Sequence, residues 1–129
     1  SEDIGTYYGF IYRITNTING HDYIGRKYFT TIKKRPPLKG KKNKRREIVE
    51  TDWKTYWGSS PRLQADIDTH GKEKFTREIV HLCNSWGETN FLEAYYQFKE
   101  DVLLREDNYN GIIQIILGKN SVKDLVIKK

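Results

Sequence analysis

A chain of 129 residues, 36% hydrophobic and 13% aromatic, is the size of one domain with a modest core, expected over residues 1–129. No apolar run approaches the roughly 20 residues needed to cross a bilayer, so the expectation is a soluble, cytoplasmic protein without a membrane partner. The net charge of +6 is concentrated, because Lys33, Lys34, Arg35, Lys39, Lys41, Lys42, Lys44, Arg45 and Arg46 place nine cations in fourteen residues without a carboxylate, leaving 14 cations against 17 acidic residues, a balance of −3, elsewhere.

Near the N-terminus, Gly9-Phe10-Ile11-Tyr12 and Tyr23-Ile24-Gly25 flank Asn16-Thr17-Ile18-Asn19-Gly20, which is rich in turn formers. The pattern predicts a hairpin over residues 7–15 and 22–29. Pairing brings Tyr12 and Tyr23 onto neighbouring strands, where both phenols reach one pocket if the register allows. The alternative is that tyrosine is simply a good strand former. The basic segment 33–46 follows, and with Pro36, Pro37 and Gly40 it reads as an inserted arm without regular structure that orders on a polyanion. Counterion release makes such clusters effective phosphate binders, which favours nucleic acid over a solvated charge run or a localisation signal.

Glu50 to Tyr56 reads as a brief helix or turn ending at Gly58. Ser60 before Pro61, Leu63 and Ile67 on one face, and Gly71 as a stop predict a helix over residues 60–70. Phe75 to Cys83 reads as a third strand, mostly buried. Cys83 is the single cysteine, so an internal disulfide is excluded, and His81-x-Cys83 offers too few ligands for a structural zinc. Ser85-Trp86-Gly87-Glu88 has capping-box spacing, and Phe91, Tyr95, Phe98 and Val102 recur at helical intervals, predicting the longest helix as far as Arg105. The cluster from Glu106 to Gly111 ends it, an apolar run spans Ile112 to Leu117, and a C-terminal tail begins at about residue 118. The whole is an α/β (α+β) pattern, a small three-stranded sheet flanked by helices.

This order of elements resembles the GIY-YIG nuclease family, in its phage and homing-endonuclease branch. Phe10-Ile11-Tyr12 and Tyr23-Ile24-Gly25 correspond to the two motifs that name the family, on paired strands. Ser59-Ser60-x-x-Leu63-x-x-x-Ile67-x-x-His70-Gly71-x-x-x-Phe75-x-x-x-Ile79 is similar to its helix-to-third-strand segment. Glu93 falls where the family keeps a metal-binding glutamate, and Tyr109-Asn110-Gly111 resembles the motif that holds its asparagine. The resemblance spans residues 8–111. Two positions depart from it. Phe10 stands in place of the first glycine, with Gly9 just before it, and the basic arm is inserted where the family places an arginine on the helix after the second motif. Arg26, Lys27, Arg35 and Lys54 are the candidates to supply that cation.

The resemblance implies a metal-dependent DNA endonuclease. Phosphodiester hydrolysis needs a positioned water, a metal to offset developing charge and a cation on the nonbridging oxygens. By resemblance, Tyr12 orients or deprotonates the water, Tyr23 assists, Glu93 holds one Mg²⁺ (with Mn²⁺ as an alternative), and Asn110 supports the site. A lone carboxylate suits Mg²⁺, which keeps most of its waters. Taken alone, Glu93 reads as an exposed helix residue, Asn110 as a turn, His70 as a helix C-terminal residue and Arg26 and Lys27 as edge-strand charges. The implied partner is double-stranded DNA, held by the nine cations of the arm, with a homodimer or a separate DNA-targeting module adding specificity. The rivals are a DNA-binding module that has lost cleavage, and a restriction or repair endonuclease.

Overall fold

The structure is a computed structural model that describes residues 6–115, 117–123 and 125. Strand β1 (Gly9–Asn16) turns through Asn16–Gly20 into β2 (Asp22–Tyr28), with Gly20 at φ 76° and the Asn16 carbonyl accepting from its amide at 2.8 Å. Left-handed backbone at that position is why glycine sits there. The Asn16 side chain closes the turn from inside, its Oδ1 accepting from the Ile18 amide at 2.9 Å. Strand β3 (Thr30–Arg35) and β4 (Arg45–Glu50) follow, then helix α1 (Pro61–His70), strand β5 (Phe75–Cys83) and helix α2 (Trp86–Lys99).

The order β2-β1-β5, antiparallel throughout, makes the expected three-stranded sheet. Period-2 alternation along β1 splits the core. Phe10, Tyr12 and Ile14 face one side with Phe29, Leu63, Ile67, Phe75 and Tyr109, so α1 packs there. Ile11 faces the other side with Ile24, Cys83, Leu92 and Val102, beneath α2. Gly9 belongs to the α2 side, where a Cβ would come within 3.0 Å of Thr89 Oγ1 and 2.9 Å of the Lys27 carbonyl. The glycine one position early thus has a job of its own, letting α2 approach the sheet.

Both helices start as the sequence predicts. Ser60 caps α1, accepting from the Leu63 amide, and Ser85 caps α2, accepting from the Glu88 amide at 3.1 Å. Other expectations need correction. The basic segment lacks regular structure only over residues 36–44, the loop that holds Pro36, Pro37 and Gly40; its two ends, Lys33–Arg35 and Arg45–Arg46, extend a β-ribbon in which Thr30, Thr31 and Ile32 pair with Glu50, Val49 and Ile48. Strand β5 is only partly buried, Ile79 being 45% exposed, because it is an edge strand with one flank open. Helix α2 stops at Lys99 rather than continuing to Arg105. Asp101 adopts φ 53°, its amide donating to the Phe98 carbonyl at 3.1 Å and the Val102 amide donating to the Gln97 carbonyl at 3.1 Å, which is the Schellman pattern that ends helices.

The buried face of α2 also differs from the aromatic stripe. Thr89, Asn90, Leu92, Glu93 and Gln97 face inward, while Phe98 is exposed and Phe91 and Tyr95 are partly covered. Of the apolar run over residues 112–117, the described residues form no helix or strand, and Ile116 lies outside the described residues. The tail contains a short 3₁₀ turn at Lys119–Ser121 that seats against Gly87, where any Cβ would overlap the Ser121 carbonyl. No helix among the described residues is long and apolar enough to cross a membrane.

Candidate active site

Strand β2 is the outer strand of the sheet opposite β5, and the site is built around its edge. Tyr12 pairs with Gly25, so Tyr23, two residues earlier on β2, lies diagonally across from it on the same face. Their ring centroids are 6.1 Å apart. A Cβ on Gly25 would overlap the Tyr12 hydroxyl and come within 2.9 Å of Tyr23 Cε2. The glycine is therefore the space that the two phenol rings occupy. Tyr23 is anchored at its far end by the turn into α1, its hydroxyl 3.3 Å from Ser59 Oγ.

The opposite face of β2 supplies the charged pair. Arg26 Nη1 donates to Glu93 Oε1 at 2.6 Å, and Arg26 Nε donates to the Tyr28 hydroxyl at 3.2 Å, which in turn donates to Asn90 Oδ1 at 3.0 Å. Both sets reach one cleft, which Tyr12, Tyr23, Arg26, Lys27, Tyr56 and Glu93 line, together with Thr31 and Lys33 from the ribbon. A second lobe continues past Tyr23, Arg26 and Glu93 to Arg62 and Asn110.

Asn110 is the brace of this edge. Its Oδ1 accepts from the Ile24 amide at 2.9 Å and its Nδ2 donates to the Ile24 carbonyl at 2.8 Å, so an amide side chain satisfies both backbone groups of an edge residue. The Tyr109 amide and the Asp22 carbonyl extend the same pairing at 2.7 Å, and Gln97 Nε2 also donates to the Ile24 carbonyl. Lys27 Nζ is 2.6 Å from Asp52 Oδ1 and sits 3.9 Å from the centroid of the Tyr56 ring. Lys54 lies apart, exposed on the turn after β4, 3.7 Å from Glu50 Oε1 and outside the residues that line either lobe. Arg35 is likewise absent from the cleft lining, paired with Glu47 on the ribbon.

Electrostatics set the protonation states. Burial pushes the Tyr12 phenol well above its ordinary value, and the neighbouring Tyr23, Tyr56 and Glu93 push the same way. Tyr23 is also raised by burial, its hydrogen bond to Ser59 pulling against it. Burial holds the Glu93 carboxyl above the ordinary glutamate value, with Arg26 offsetting part of the rise. Burial works against the Arg26 charge, but Glu93 and Tyr28 outweigh it and keep the guanidinium firmly charged.

Among the described residues, no group of three or more acidic, His or Cys side chains gathers in a way that would cage a metal. Of the three carboxylates that line the cleft, Asp52 is paired with Lys27 and Glu50 lies beside Lys54 at the base of the ribbon, which leaves Glu93, 8% exposed and shared by both lobes, as the hard donor of the site. That fits a divalent cation which retains most of its own waters. Sequence reasoning did not single out Ser59, Tyr28, Tyr56 and Asn90 as site residues. Tyr28 was recoverable, since it follows Arg26 by two residues and so shares its face. Ser59 and Tyr56 reach the cleft through the turn before α1, whose geometry has no period to read.

Two comparisons find nothing, with no match to a curated protein or to a solved structure. A scan against family models does match, over residues 1–113, with the model described as "Putative endonuclease segE, GIY-YIG domain".

Proposed function

The chain belongs to the GIY-YIG endonuclease family, a family of phosphodiester hydrolases, and we propose that it is a Mg²⁺-dependent endonuclease of phage or homing type that cuts double-stranded DNA in the cleft at the β2 edge. The observation that carries this reading is convergence. Tyr12 and Tyr23 from one face of the sheet, and Arg26 and Glu93 from the other, meet at a cleft that continues onto the basic ribbon.

Glu93 is the residue that would hold the cation, which when bound supplies Lewis-acid charge against the negative charge that develops on the phosphate oxygens. The other roles belong to the chain. Tyr12 keeps its proton, because its surroundings disfavour the phenolate, and so it orients the attacking water by hydrogen bonding. Tyr23, tethered to Ser59, extends that hydrogen-bonding surface. Arg26 replaces the family's displaced arginine. Its Nη2 makes no hydrogen bond among the described residues and is left to a nonbridging phosphate oxygen, and a guanidinium so held is a fixed charge for the transition state. Asn110 keeps the β2 edge in register beneath it.

The test is nicking of supercoiled plasmid by purified protein with and without Mg²⁺, beside Glu93→Gln. Cleavage that needs the metal and vanishes in the variant, with DNA binding retained, is the expected result. Binding without nicking by the wild-type protein would establish the rival reading of a DNA-binding module that has lost its chemistry.

A further inference from the structure

The β3–β4 ribbon stands off the body of the protein, exposed to solvent on both faces along nearly all its length. Its two faces differ in chemistry. Pairing sets Thr30, Ile32 and Lys34 beside Glu50, Ile48 and Arg46 on one face, and Thr31, Lys33 and Arg35 beside Val49, Glu47 and Arg45 on the other. The second face opens on the catalytic cleft through Thr31 and Lys33, with Glu50 joining from the base of the first, and it carries the Arg35–Glu47 ion pair. The first face has no strand carboxylate beyond Glu50 at its base. At its middle, Ile32 and Ile48 stand side by side, 56% and 74% exposed. A two-stranded ribbon with a bare isoleucine pair is marginal in water and gains from being covered.

We propose that this ribbon enters the major groove of the substrate and reads it, with Ile32 and Ile48 against thymine 5-methyl groups and Lys34 and Arg46 on the acceptor edges of neighbouring purines. The proposal rests on the nuclease reading above and adds a determinant of sequence preference to it. The major groove, about 12 Å wide, admits a two-stranded ribbon, and the thymine methyl is the one apolar group that it offers. With the cleft-facing side of the ribbon along the backbone of the cut strand, the opposite side is turned into the groove. Charge selects the occupant. A second copy of the chain covering the isoleucines would bring Lys34 and Arg46 against cations of its own kind, whereas DNA meets both requirements.

The test uses duplexes recovered by the wild-type protein from a pool with randomised cores, selected without divalent cation so that no cutting occurs. Each is resynthesised with uracil for thymine, which deletes the methyl groups alone. Burying one methyl against an isoleucine corresponds to about 4-fold in affinity, so two should give roughly 15-fold weaker binding of the uracil duplex. The double variant Ile32→Thr with Ile48→Thr keeps β-branched residues in both strands. It should bind thymine and uracil duplexes alike, at the wild-type affinity for uracil, with its salt dependence unchanged. Equal wild-type affinity for the two duplexes would overturn the proposal. So would a dimer of the wild-type protein, seen by sedimentation, that the double variant loses, since the isoleucines would then be covered by a second copy. Because binding is read without cleavage, absence of nicking would refute the nuclease reading and leave this result standing on its own.

Discussion

The Tyr12 ring occupies the volume that a side chain on Gly25 would need, and this exchange between cross-strand neighbours holds the phenol at the cleft. A group fixed in that way and kept protonated is worth testing by removing its oxygen alone. Tyr12→Phe retains the ring and hence the packing against Phe10 and Tyr56. Loss of a positioned proton-bearing group typically costs roughly 10²- to 10⁴-fold in rate, so single-turnover cleavage at saturating enzyme should fall by that order while DNA affinity stays near wild type. A wild-type rate would return Tyr12 to the role of a core residue. Glu93 makes a separate prediction through its protonation. Burial raises its carboxyl above the ordinary value, so the acid form persists to a higher pH than in an exposed glutamate. Only the ionised form binds a hard cation. Affinity for Mn²⁺, measured calorimetrically as pH is lowered, should therefore begin to weaken above the ordinary glutamate range. Glu93→Gln should bind weakly at every pH and show no such limb; a limb that survives in Glu93→Gln would assign the cation to another residue.

Among the elements, α2 shows best what the sequence disclosed and what it hid. Its start was legible, because Ser85 and Glu88 stand at capping distance and the cap forms. Its buried face was not. Hydrophobic periodicity chose Phe91, Tyr95 and Phe98, yet the residues that turn inward include Glu93, Gln97 and Asn90, each hydrogen-bonded to a partner on β2, with Arg26, the Ile24 carbonyl and Tyr28 respectively. A polar functional face paired with a polar strand edge has no apolar signature, so a pattern built on burial reads it as solvent-facing. The same reason made Glu93 look exposed when taken alone. The hairpin and α1 were legible because turn formers and caps act locally, and the ribbon was misread because its prolines and cations drew the inference while Thr30–Ile32 and Ile48–Val49 supplied the pairing. The end of α2 was hidden by Asp101, a residue that rarely takes positive φ. Asp101→Gly removes the steric cost of that conformation and keeps the backbone pattern, so chemical denaturation should show a gain of up to about 1 kcal/mol. A loss of that size would mean that the Asp101 carboxylate, and not the backbone, secures the helix end.

On the scale of the whole molecule, charge is divided between a body with a balance of −3 and one basic segment that carries all of the excess. That segment is a loop carried on the ends of a ribbon whose base is tied to the body where the Thr51 amide donates to the Phe29 carbonyl at 3.0 Å, and none of its nine cations belongs to either core cluster, so its electrostatics can be altered without touching the core. An acidic body gains little from a polyanion on its own, and long-range attraction between its carboxylates and the ribbon is weakened by salt. Affinity for DNA should therefore reside in the ribbon and its loop. If about five of the nine cations meet phosphates, the slope of log affinity against log salt should be roughly −4 to −5. Replacing all nine by glutamine should bring the slope down to roughly −1 to −2 and weaken binding most at low salt, while circular dichroism and the thermal midpoint stay near wild type. The cleft cations Arg26 and Lys27 remain in that variant, so residual binding, if any, should keep the slope of one or two contacts. A slope unchanged by the nine substitutions would move the DNA-binding surface to the second lobe of the cleft, which Arg62 borders.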